Sequence, residues 1–124
     1  MTTLDLCVFP GRVGFADSPA AFRALIGDAD YPDPWLDSEA VAQMHTIAGK
    51  RRLYVVCLDR SLHSGRQDIA ESIVHEATHV WQAVCEHIGE TAPGIETGAY
   101  TMEAIVRFLF TQSGIFEEQP CAAS

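Results

Sequence analysis

Residues 66–88 read RQDIAESIVHEATHVWQAVCEHI, and the rest of the chain is best read outward from them. Ile69, Ile73, Ala77, Val80, Val84 and Ile88 recur at intervals of three and four, the spacing that lines up apolar side chains along one side of an α-helix. The opposite side carries Ser72, His75, Glu76, His79, Gln82 and Glu86. A helix over Arg66–Ile88 is therefore expected, buried along one stripe, polar along the other, and stopped by Gly89.

Within the polar stripe, His75-Glu76-Ala77-Thr78-His79 is an HExxH pentapeptide. Residues four apart are neighbours on a helix surface, so both imidazoles project from the same side and can reach one metal ion. Glu76 is turned by about 100° from His75. That angle keeps it from sharing the metal easily with both histidines, but lets it reach a water bound there. The spacing thus suits a glutamate base acting on zinc-bound water. A polar stripe is ordinarily just a solvated face. Chance, however, supplies HExxH in only about one chain in several hundred of this length, and here it falls mid-helix, so a zinc site is the expectation.

A catalytic zinc site needs a third protein ligand and one open position. An extended motif with glycine three residues and histidine six residues beyond His79 is excluded, because Gln82 and Cys85 stand there. The helix continues, and Cys85 is expected to point away. Pro93-Gly94 then opens a last helix, roughly Ile95 to Thr111, with apolar Ala99, Met102, Ile105, Val106 and Leu109. A short connection makes the two helices antiparallel neighbours. Glu96 and Glu103 lie seven residues apart on nearly the same face of it, with Tyr100 between them. Geometry alone leaves both as candidate ligands, and Glu103 can instead pair with Arg107 at i,i+4. Tyr100 is a candidate hydrogen-bond donor to a developing oxyanion, or an aromatic of the interhelical core. His45, His63 and His87 are available to support the site or touch substrate, or are ordinary surface histidines. Trp81 reads as core.

Upstream, Leu4–Phe9 is a short apolar run ended by Pro10-Gly11 and reads as a strand. Ser18 and Pro19 suit the N-cap and first position of a helix over Ala20–Ile26, closed by Gly27. Asp28–Asp37, with two prolines and four aspartates, is a loop. Val41–Ile47 alternates, Leu53–Leu58 is a nearly continuous β-branched run, and Gly49-Lys50 between them marks a hairpin. The order strand, helix, hairpin, long helix, last helix gives an α+β fold with the helices on one face of a small sheet. The tail after Ser113 is expected to be less ordered.

Composition narrows the function. The 124 residues form one domain, and seventeen acids against eight bases give a net charge of −9, which argues against nucleic-acid binding. The one basic run, Lys50-Arg51-Arg52, reads as a solvated turn. Cys7, Cys57, Cys85 and Cys121 show no CxxC spacing, and Cys7 and Cys57 fall inside apolar, strand-like runs, where buried free thiols are expected. The opening MTTLDLCVFPG lacks the pattern of a signal peptide, and no segment is apolar enough to span a bilayer. A cytoplasmic chain without membrane contact is the expectation; the oligomeric state is not legible.

HEATHVWQ followed by PGIETGAY resembles gluzincin-type metallopeptidases, which join HExxH to a glutamate ligand on a following helix, often within ExxA. Glu96-Thr97-Gly98-Ala99 fits that context and Glu103-Ala104-Ile105-Val106 does not. The chain is also similar to the very small stand-alone zincins of phage and prophage genomes. The resemblance implies a minimal zincin-like domain over residues 1–124, a small antiparallel or mixed sheet packed against the HExxH helix and a C-terminal helix. It implies a zinc metallopeptidase acting on a peptide or protein, with zinc on His75, His79 and Glu96 and with Glu76 as base. It further implies that Leu53–Leu58 presents a strand edge to an extended peptide. The alternative is a metal-binding or interaction module without useful hydrolysis, because so short a chain offers only a shallow groove and a zinc site can serve the fold.

Overall fold

The computed structural model describes residues 2–92 and 94–117. Its elements are β1 (Leu4–Asp5), β2 (Arg12–Ala16), α1 (Pro19–Ile26), β3 (Ala42–Ile47), β4 (Leu53–Leu58), α2 (Arg66–Ile88) and α3 (Ile95–Ser113), with one 3₁₀ turn at Arg60–Leu62. They make a small α+β fold around a mixed four-stranded sheet in the order β1-β2-β4-β3. β2 and β4 run parallel, and the two outer pairs are antiparallel.

β4 is an inner strand, bonded to β2 on one side and β3 on the other, and all six of its residues are buried. Its side chains alternate between two cores. Tyr54, Val56 and Leu58 meet Ile69, Ile73, Val80, Ile105 and Leu109 of α2 and α3. Leu53, Val55 and Cys57 meet Phe22 and Leu25 of α1, backed by Tyr31, Trp35 and Leu36 of the following loop. Helices therefore cover both faces of the sheet, whereas one covered face was expected. The reason is the parallel β2–β4 pair, which needs a crossover; α1 lies in that crossover and takes the face opposite α2 and α3. Burial on both sides also explains why β4 reads as a continuous run rather than an alternating one.

β2 was not legible in the sequence, and of the strand expected at Leu4–Phe9 only Leu4–Asp5 forms. The chain turns at once after Asp5. The Asp5 carboxylate accepts from the Cys7 N–H at 2.9 Å, Cys7 has φ 59°, and Leu6 N–H donates to the Gly11 carbonyl. Gly11 has φ +111°, and a Cβ there would sit 3.0 Å from the Tyr54 ring and 3.1 Å from the Arg52 carbonyl. Only glycine fits that approach. Beyond it, Arg12–Ala16 pairs with β4 through an interior glycine, Gly14, which leaves room for Leu25 of α1.

The helix ends follow the expected chemistry. The Ser18 hydroxyl accepts from the Ala21 N–H at 3.1 Å, and Gly27 closes α1 in the left-handed region. α2 has the expected bounds, and Gly89, at φ 72°, donates to the carbonyls of Cys85 and Glu86. α3 runs to Ser113, two residues past its expected end, and Ile115 beyond it is buried. The tail expected to be less ordered begins after Ser113, and its residues 118–124 lie outside the described residues. Among those residues no helix is long and apolar enough to cross a membrane.

Candidate metal centre

The rotation of α2 is set by its buried stripe. Ile73, Ala77, Val80 and Val84 have no exposed surface, and this holds His75 and His79 outward. Their ring centroids are 4.8 Å apart and the two Nε2 atoms only 3.2 Å apart. Two nitrogens bound tetrahedrally at zinc distances are separated by about 3.3 Å. The same gap can hold one proton in a hydrogen bond between the rings, so the pair fits either occupant without rearrangement. The Gln82 side-chain carbonyl lies 3.0 Å from His79 Nδ1. A carbonyl only accepts, so Nδ1 carries the proton and Nε2 presents its lone pair. Such a partner commonly fixes a metal-binding histidine.

Glu76 differs from its neighbours. It is 6% exposed, whereas the His75 side chain is 69% exposed, and its carboxylate lies 3.9 Å from His75 Nε2. Burial raises its pKa, while the nearby imidazoles and the Met44 backbone of β3 pull it down less strongly. Ligand atoms of His75, Glu76 and His79 all lie within 4.8 Å of one another. Clefts of about 490 and 320 Å³ open on either side of Glu76, and both are bounded by Ala42 of β3. Together they form one trough between β3 and α2. The most apolar cleft lies elsewhere, between Val106 and Phe110 of α3 and Phe116 just beyond it, and there Glu103 is already tied to Arg107.

The structure does not bring Glu96 to this centre. Glu96, Tyr100 and Glu103 do share a face of α3, as the spacing implies, but it is the solvent face. Glu96 lies nine residues before buried Ile105, about two and a half turns, and so on the opposite side of the helix. The stripe turned toward α2 is instead Gly98, Met102, Ile105 and Leu109, and Gly98 packs on Trp81. Glu103 pairs with Arg107 at 2.8 Å. Tyr100 is 68% exposed, so it belongs neither to the interhelical core nor to the walls of the trough. Cys85 is likewise outside the His75–Glu76–His79 group.

The strand edge also differs from expectation. β4 is paired on both sides and has no free edge; β3 is the outer strand that flanks the trough. Of the three further histidines, His45 packs on Phe22 across the sheet from α2 and bonds the Trp35 carbonyl at 2.7 Å. His87 lines a separate cavity at the end of α2. His63 is half-buried and reaches the trough indirectly. Its Nδ1 donates to the Asp59 carbonyl at 2.7 Å, which leaves Nε2 to accept from the Ser72 hydroxyl at 2.9 Å. Ser72 lines the trough beside His75. Sequence spacing offered no signal for this pair, since His63 lies before α2 and Ser72 nine residues on, inside it.

No family model matches the chain, and no match was found among curated proteins or solved structures.

Proposed function

We propose that the chain is a zinc-dependent peptidase, with the metal on His75 and His79 and with Glu76 as general base. The observation that carries this reading is the convergence of two imidazole Nε2 atoms to 3.2 Å beside a buried carboxylate, in a trough bounded by an outer strand. A bound zinc ion would polarise the substrate carbonyl and make water easier to deprotonate. The side chains supply the rest. Gln82 keeps His79 in the metal-binding tautomer. Glu76, made less acidic by burial, accepts a proton from water and returns it to the departing amine. An extended peptide would pair with β3, whose free edge runs along the trough.

A second reading is favoured by a specific observation: among the described residues no ligand beyond the Glu76 carboxylate joins the histidines, so a third ligand separate from the base is not at hand. On that reading the domain binds metal but hydrolyses poorly. One experiment separates the two. Zinc-loaded wild type and Glu76→Gln are incubated with a mixed peptide library, and cleavage is followed by mass spectrometry. The peptidase reading expects cleavage by wild type and retained zinc without cleavage in the variant. Zinc binding with no cleavage by either selects the second reading, and equal cleavage by both removes Glu76 as the base.

A further inference from the structure

The metal centre is not the only concentration of chemistry. Arg12 and Ile47 both pair with Leu53, so the start of β2 and the β3–β4 turn share one end of the sheet. That end carries Arg12, Lys50, Arg51 and Arg52, half of the eight Lys and Arg residues in a chain of net charge −9. Among the described residues one ion pair answers them, Arg51 to Asp5 at 2.9 Å. A cavity of about 370 Å³ opens between this turn and the Cys7–Gly11 loop. Lys50, Arg51 and Arg52 form one wall, Phe9 and Pro10 another, and His87 from the last turn of α2 closes it. The run that reads as a solvated turn is thus the wall of a pocket.

Tyr54 lies behind Gly11 at the edge of this cavity without lining it. Its hydroxyl is the one buried side-chain polar atom without a hydrogen-bond partner among the described residues. The ring lies against Gly11, and Arg52 is the charged group nearest in effect to the hydroxyl. Gly11 and Arg52 both line the cavity. A buried donor left without an acceptor is costly unless something else satisfies it. The hydroxyl is buried and does not itself line the cavity; the side chain that joins the two is Arg52, which acts on the hydroxyl and forms part of the cavity wall.

We propose that this cavity is a binding site for a small phosphate-type oxyanion, free or as a phosphomonoester. Arg52 offers the planar fork that matches phosphate oxygens, Lys50 a mobile point charge, and His87 a further donor. The cation excess over Asp5 suits a doubly charged group better than a single carboxylate. The volume lies in the range of small-ligand sites, and Phe9 with Pro10 gives an organic substituent an apolar wall. His87 lies eight residues beyond His79, about 12 Å along α2, so the site is separate from the metal centre and does not depend on the peptidase reading.

The test uses metal-free protein labelled with ¹⁵N, titrated at constant ionic strength with inorganic phosphate, then pyrophosphate, with acetate as control. Saturable shifts confined to residues 7–11, 48–52 and 87, stronger for pyrophosphate and absent for acetate, are expected. The Lys50→Gln/Arg52→Gln double variant should bind at least tenfold more weakly while keeping its other amide positions, and Lys50→Gln alone should show a smaller loss. Shifts that do not saturate, that acetate reproduces, that centre on His75 and His79, or that persist unchanged in these variants would overturn the site.

Discussion

Glu76 and Glu96 were both expected at one metal, yet one is buried at the trough and the other faces solvent on a different helix. Their fates lead to different tests. Glu96→Ala is expected to keep the zinc content of wild type by atomic absorption, because its side chain lies on the face of α3 turned from α2. His79→Ala should lose the metal. Gln82→Ala should weaken zinc binding by about 10- to 100-fold, the usual effect of freeing a ligand's outer nitrogen, read by competition with a chromophoric chelator. Glu76 also couples the site to stability. Burial raises its pKa, so the fold favours the protonated form. Below the unfolded-state pKa both states are protonated and nothing is lost. As pH rises through the raised folded value, the fold must hold a buried carboxylate and stability falls. Metal-free Glu76→Gln should therefore melt higher than wild type at pH 7, with the difference shrinking toward pH 4. A constant difference across that range would mean that ionisation of Glu76 is not its source.

α2 shows why some elements could be read and others could not. Its bounds, buried stripe and outward histidines follow from a 3.6-residue period and a terminal glycine, all local to residues 66–89. The third ligand was a question about how α3 is turned against α2, and that rotation is set by how Gly98, Met102, Ile105 and Leu109 pack in the core, not by spacing within α3. The spacing of Glu96 and Glu103 fixed that they share a face but not which way the face looks. β2 was missed for a related reason: it begins with arginine, contains Gly14, and is a strand chiefly because β4 and α1 offer it partners. Gly98 gives an element-level test. It lies inside α3, and a Cβ there would meet the Trp81 ring at 3.5 Å, an ordinary contact. Gly98→Ala should therefore gain most of the helix-propensity difference, about 1 kcal/mol, seen as a rise of about 4 °C in Tm. A fall in Tm would mean that the two helices already touch too closely for a methyl group.

The sheet divides the molecule into two cores, and the metal centre draws on only one of them. α2, α3 and the Tyr54–Val56–Leu58 side of β4 position the trough, while α1 and the Asp28–Asp37 loop seal the other side over Leu53, Val55 and Cys57. The strand between them transmits the loss of either core to the other, since each β4 residue lies within one of the two. Cys57 reports on this arrangement. It has no exposed surface, and burial pushes its thiol pKa up to about 12, with the charge of Glu76 adding to the rise. Both effects suppress the thiolate, which is the form that alkylates. Reaching Cys57 requires opening the sheet from α1, which in a fold of ordinary stability exposes the thiol less than about one-thousandth of the time. Cys7, expected to be buried in a strand, is instead exposed because the chain turns after Asp5, and it carries no such protection. A short iodoacetamide pulse at pH 7.5, followed by peptide mapping, should modify Cys7 and leave Cys57 untouched until denaturant reaches the unfolding transition. Cys57 modification should then rise together with the loss of helical circular dichroism. Labelling of Cys57 well before that loss would mean that the α1 side opens on its own, and that the two cores are not one cooperative unit.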